Sequence, residues 1–253
     1  MLALAGLMLR PLEAPAWRAM RAQQPALKLE SIQGALGQGV TVGLLGGFRA
    51  IVADLFWISA NAAWDQEDLP ATQTLIKLVT AIDPRPLFFW INGANMIAYD
   101  MPHWRIRAAG GYDAVSAAEQ NRFDREQAEV ALKLLQEALA QHPEEASLYI
   151  CKANIQLNRL KDTAAGAESY RMAAAQPNAP YFAGRIYGEL LKRMGRKQEA
   201  YVWLKQFYLT LPKPGSAQAT PWQIETAMAD VVLERIHELE RELKVPKEQA
   251  FKG

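Results

Sequence analysis

Four stretches of helix-forming sequence each run into a proline, at Pro84, Pro143, Pro177 and Pro212, and the last three prolines stand 34 and 35 residues apart. Proline lacks an amide hydrogen and disfavours helix in the residue before it, so each one closes a helix. Ahead of each closure, apolar and small residues recur in one register. Thr72, Ile76, Val79 and Pro84 share their spacing with Ala131, Leu135, Ala138 and Pro143, and with Ala200, Leu204, Phe207 and Pro212. Gly166, Tyr170, Ala173 and Pro177 repeat it with one residue fewer before the proline. A sequence that restates one pattern in this way specifies an array of like units, each too small to bury its own apolar face and therefore stacked on its neighbour.

Each unit holds a second helix upstream, marked by Trp90, Gly93, Ala94 and Ile97 in one case and by Gly184, Tyr187, Gly188 and Leu191 in another. This pattern resembles the tetratricopeptide repeat (TPR) family, in which Trp, Leu-Gly, Tyr, Ala, Phe and Pro recur with a 34-residue period. The resemblance spans residues 53 to 212. It implies an all-α fold, a TPR-like α-solenoid of stacked antiparallel helix hairpins, with four repeats over residues 49–212. Gly188 and Ala200 are small where the two helices of the fourth unit are expected to cross at close range, while Leu204 and Phe207 are expected to fill the space against the next hairpin. Gly195 turns the chain between them. A further helix over residues 220–245 opens on Thr220, Pro221 and Gln223, a capping signal, and carries Met228, Val231, Val232, Ile236, Leu239 and Leu243. Its apolar stripe is expected to cap the last repeat and its Glu- and Arg-rich face to be solvated.

Two segments depart from the period. Pro84 and Pro143 are 59 residues apart, so an insertion at about residues 100–122 is expected to project from a hairpin turn. Residues 1–48 form an apolar, Gly-rich lead. Its first apolar run stops at Arg10, short of the ~20 residues that cross a bilayer, and reads as a shortened anchor if Met1 is not the true start. The stretch from Ser31 to Phe48 is uncharged but holds six glycines. Downstream, "GGFRAIVADLFWISANAAW" places Phe56, Ser59, Ala60 and Ala63 in the repeat register beside Trp57, and is similar to bacterial membrane-anchored TPR proteins. That resemblance implies a location at the bacterial inner membrane or in the periplasm, with the cytoplasm as the alternative.

Several kinds of chemistry lack their residues. Lys and Arg total 28 against 27 Asp and Glu, so a net charge of +1 supplies no field for nucleic acid. The densest basic run, Leu190–Lys197, falls at a hairpin turn. The three histidines lack metal-ligand spacing: His142 precedes a proline at a helix end, His237 lies on a charged helix, and His103 stands beside Trp104 in the insertion. Cys151, the one cysteine, reads as a buried hydrophobe. No Gly-rich phosphate loop and no nucleophile with its base are present. The expectation is therefore no enzyme, no cofactor, no metal, no nucleic acid and no small-molecule substrate.

Stacked hairpins line one surface with the first helix of each pair, so the natural ligand is a peptide or helix of another protein. The candidate partner-binding residues are Trp90 and Asn95 in the second unit, Lys152, Asn154 and Asn158 in the third, and Arg185, Glu189 and Lys192 in the fourth. His103 and Trp104 join them in the insertion. The set of lysines and asparagines with which the family clamps a C-terminal carboxylate is not reproduced. These features lead to a non-catalytic interaction scaffold within a bacterial membrane-associated assembly. The alternative is a structural subunit of an envelope machine (pilus, secretion or polysaccharide export) that docks through its insertion and N-terminal segment.

Overall fold

A computed structural model describes residues 47–213, 215 and 219–253, and among these the chain is all-helical. The chain divides into two units, 1–52 and 53–253, and the packing below concerns the second. The expected anchor in residues 1–46 lies outside the described residues. Among the described helices, none is long and apolar enough to cross a membrane.

The proline-terminated pattern becomes helix α2 (Leu69–Ile82), which follows α1 (Arg49–Asp65) after a short turn. The Asp68 carboxylate accepts the Ala71 amide hydrogen and so caps α2. A long helical run follows, made of α3 (Leu87–Asn95), a π-helical turn (Met96–Asp100) and α4 (Met101–Ala108). It returns along α5 (Ala117–Gln141), capped by Ser116. Next come α6 (Ala146–Asn158) and α7 (Thr163–Ala174), capped by Asp162, then α8 (Tyr181–Arg193) and α9 (Lys197–Thr210). The helices α2, α5, α7 and α9 each end two or three residues before their proline, as the sequence requires.

Packing is between neighbours. Helix α2 lies on α3, α3 on α5, α5 on α6, α6 on α7, α7 on α8 and α8 on α9, while α3 also meets α6. Gly188 marks the expected close approach of α8 and α9, since a Cβ there would stand 2.6 Å from Leu204 Cδ2. Leu204 thus fills the crossing of its own pair, whereas the repeat pattern placed it against the next hairpin alone. It reaches that neighbour as well, in a core shared with Val232, Ile236 and Leu239.

Residues 100–122 are the far end of a lengthened helix pair and not an insert hung on a short turn. The π turn and α4 prolong the first helix of the pair, α5 begins at Ala117, and Met101, Trp104 and Ile106 are buried. Ile106 forms a small core with Val115 and Phe123, so the extra residues lengthen both helices of one pair and bury their own apolar side chains.

The C-terminal segment carries the expected capping box at Thr220 and Gln223, but it is two helices, α10 (Pro221–Ala227) and α11 (Ala229–Leu243). They part at Met228, whose backbone is left-handed (φ 49°, ψ 49°). Periodicity runs through such a break unseen, because one residue of αL geometry redirects the helix without altering the apolar pattern. Helix α11 packs on α9 through Val232, Ile236 and Leu239, while Met228 itself is half-exposed. Beyond α11 the chain folds back, and the Phe251 ring meets Tyr208 edge-on at 5.5 Å.

Candidate functional site

The second helical run and the third and fourth pairs each begin with a helix, α3, α6 and α8, that lends residues to one cleft of about 430 Å³. Ile91 and Asn95 come from α3, Ile150, Cys151 and Asn154 from α6, and Phe182 from α8. The pairs Ile91/Asn95 and Ile150/Asn154 are each four residues apart, so each puts an apolar side chain and an amide one above the other on a single helix face. Both pairs are related by the 59 residues that separate Pro84 from Pro143. They are equivalent positions of successive units.

The two amides are held from behind. Cys151 Sγ donates to Asn95 Oδ1 at 3.6 Å, and the Tyr170 hydroxyl donates to Asn154 Oδ1 at 2.7 Å. With each carbonyl oxygen engaged, the Nδ2–H groups of Asn95 and Asn154 are left as donors without a partner among the described residues. Burial pushes the Cys151 thiol up to about 12, so it stays protonated at neutral pH and serves as a weak donor in the wall.

A second cleft, of about 590 Å³, starts from the same Asn154 and continues past Asn158, Tyr170, Ile186, Glu189 and Lys192. Its charges are largely spoken for. Lys192 Nζ lies 3.1 Å from Glu242 and 3.3 Å from Glu238, and Arg235 lies 3.0 Å from Glu189. Donation to Glu242, reinforced by donation to Glu238, raises the Lys192 ammonium pKa above its ordinary value despite some desolvation. The face of α11 expected to be solvated therefore stitches α11 to α8.

The expected partner-binding residues separate into groups. Asn95 and Asn154 line the first cleft, and Asn154, Asn158, Glu189 and Lys192 line the second. Trp90 is 2% exposed and donates its indole N–H to the Pro84 carbonyl, so it belongs to the core and not to a groove. Trp104 is largely buried, its ring packed edge-on against Trp64, and its remaining surface lines a small cleft. Amphipathic spacing marks the face of a helix but does not tell an inward tryptophan from a displayed one. Lys152 lies near Glu168, whose carboxyl is held low chiefly by Arg171 and to a lesser degree by Lys152. Arg185 contacts Met228 Sδ, and neither cation lines a cleft described above. His103 lines that small cleft beside Trp104, with Trp64, Asp65 and Asp100, and its Nδ1 contacts the Tyr112 hydroxyl.

Ile91, Ile150 and Phe182 were absent from the sequence-based set. The 59-residue offset carries the signal for the first two, since it maps Ile91 onto Ile150 as it maps Asn95 onto Asn154. Among the described residues, no group of three or more His, Cys, Asp or Glu side chains is placed to hold a metal ion. The chain matches no protein-family model and no curated protein.

Proposed function

We propose that this chain is a non-catalytic protein–protein interaction scaffold, a TPR-type α-solenoid that receives an extended peptide or helix of a partner in the cleft of α3, α6 and α8, within a bacterial membrane-associated assembly. The observation that supports this reading is the pairing of Asn95 with Asn154. Two equivalent amides, on the first helices of neighbouring pairs, present N–H donors without a partner among the described residues beside Ile91, Ile150 and Phe182. A polypeptide in extended form offers a carbonyl acceptor at every residue and alternates its side chains, which matches donors flanked by apolar surface. Two hydrogen bonds at ~1 kcal/mol and one or two buried apolar anchors at ~2 kcal/mol, offset by ordering costs, put the affinity at about tens of micromolar at the tightest, toward millimolar and weaker.

Selection from a displayed random-peptide library tests the cleft directly. Peptides enriched on the native chain are expected to lose about fivefold in affinity on Asn95→Ala and about tenfold or more on Phe182→Ser. A library that yields no binder, or binders indifferent to both changes, removes the reading.

A further inference from the structure

Helix α1 carries apolar side chains on two opposite faces, the outer stripe edged on one side by the exposed Asp54 and Asp65. Toward the protein it turns Ala53, Trp57 and Ala60, all buried, while Leu55 and Ile58 on the far side are 59% and 64% exposed. At 100° per residue, Leu55 and Ile58 lie within about 60° of each other and Ala62 falls between them, roughly opposite Trp57. A helix that has buried one apolar stripe and still displays a second has a further apolar surface to cover. Among the described residues, one face is packed and the other is exposed.

The sequence before α1 indicates what covers it. From Ser31 to Phe48 no residue is charged, eighteen positions ending where α1 starts at Arg49. Its six glycines and its Ser, Gln and Thr residues make it a poor spanning segment, but the absence of charge lets its Val, Leu, Ile and Phe side chains partition into the interface of a bilayer. We propose that the exposed face of α1, centred on Leu55 and Ile58, lies against a lipid bilayer surface. Ile58 is nine residues beyond Arg49, about 14 Å along the helix, whereas a headgroup layer is only about 5–8 Å deep. An upright α1 would carry Ile58 clear of the lipid, so the helix axis lies closer to the membrane plane than to its normal. The only charged residues on α1 are Arg49, Asp54 and Asp65. Without a basic cluster, attachment depends on apolar burial and does not require anionic lipid. The inference rests on the membrane-associated part of the proposed function and is independent of the cleft.

Site-specific fluorescence on the full chain tests it. In a Cys151→Ala background, an environment-sensitive label is placed at Leu55→Cys, at Ile58→Cys or, as a control, at exposed Glu129→Cys, and the protein is mixed with phosphatidylcholine vesicles carrying brominated acyl chains. Vesicle flotation and quenching are read on the same samples. The expected result is that the chain floats, that labels at 55 and 58 are quenched at least about twofold and the label at 129 is not, and that anionic lipid changes neither. A Leu55→Ser/Ile58→Ser variant is expected to lower the partition coefficient about tenfold or more. Three results would overturn the proposal. One is a chain that floats with labels 55 and 58 unquenched; another is a chain that does not float. The third is a label already shielded without vesicles: a second copy covers α1 if the shielding depends on protein concentration, and another part of this chain does if it does not.

Discussion

Trp90 and Tyr149 make the same bond one unit apart: the indole N–H of Trp90 donates to the Pro84 carbonyl at 2.7 Å, and the Tyr149 hydroxyl donates to the Pro143 carbonyl at 2.9 Å. In each case an aromatic side chain in the first helix of a unit reaches six residues back and ties down the proline that closed the previous helix. Pro84 receives a second donor, Nε2–H of His142 at 2.8 Å, which must carry the proton because a carbonyl only accepts. Tyr149→Phe leaves the Pro143 carbonyl with no side-chain donor and is expected to cost about 1–2 kcal/mol. Trp90→Phe removes a donor and much of a buried ring, and combined with His142→Ala it should cost more than the sum of the two single changes. Denaturant midpoints of the singles and the double measure this.

Gly188 is required by a neighbour and not by its own backbone. Alanine in a helix ordinarily stabilises by about 1 kcal/mol relative to glycine, yet here its Cβ would fall 2.6 Å from Leu204 Cδ2 and 2.9 Å from Leu204 Cγ. Gly188→Ala is expected to destabilise the protein by about 1–3 kcal/mol, and Leu204→Ala in the same chain to relieve part of the strain while adding its own cavity cost. Thermal unfolding of the two singles and the double decides it.

Acid should release the C-terminal tail. Glu240 is buried on α11 and accepts bonds from Tyr201 at 3.0 Å, His237 at 2.9 Å and the Phe251 amide at 2.6 Å. Burial opposes its charge, but the three donors outweigh burial and hold its carboxyl below the usual range. A depressed carboxyl contributes stability that is fully present above its unfolded-state value, near 4.3, and is lost as pH falls through the lower folded value. Below about pH 4 the Phe251 ring is therefore expected to leave Tyr208, seen as loss of their NMR cross-peaks. Glu240→Gln should flatten the pH dependence of the denaturant midpoint in that window.

Cys151 should be unreactive in the native state. With its thiol at about 12, only about one part in ten thousand is thiolate at pH 8, against roughly a quarter for a free cysteine. A thiol reagent at pH 8 is expected to label the folded protein at least about a thousandfold more slowly than the same chain in denaturant. Comparable rates would mean that α6 opens readily toward the cleft.

The sequence by itself determined where helices end and which come in pairs. Prolines at 84, 143, 177 and 212 act on the residues beside them, and the Thr220–Gln223 box and the Asp and Ser caps are equally local, so their consequences can be read without a fold. Small residues at 188 and 200 likewise announced a close helix crossing. Tertiary structure decided which side chains are on display. Trp90 and Trp104 carry the same periodic signature whether they face in or out, and only the Pro84 carbonyl and the Trp64 ring place them inside. Glu189 and Lys192 looked like free groove charges until α11, more than 40 residues on, supplied Arg235, Glu238 and Glu242. Conversely, the 59-residue offset relates Ile91 to Ile150, but only the approach of α3, α6 and α8 puts them with Phe182 in one cleft. Backbone termination is fixed by covalent neighbours, whereas exposure and pairing depend on what distant helices bring within a few ångströms, and no local pattern carries that information.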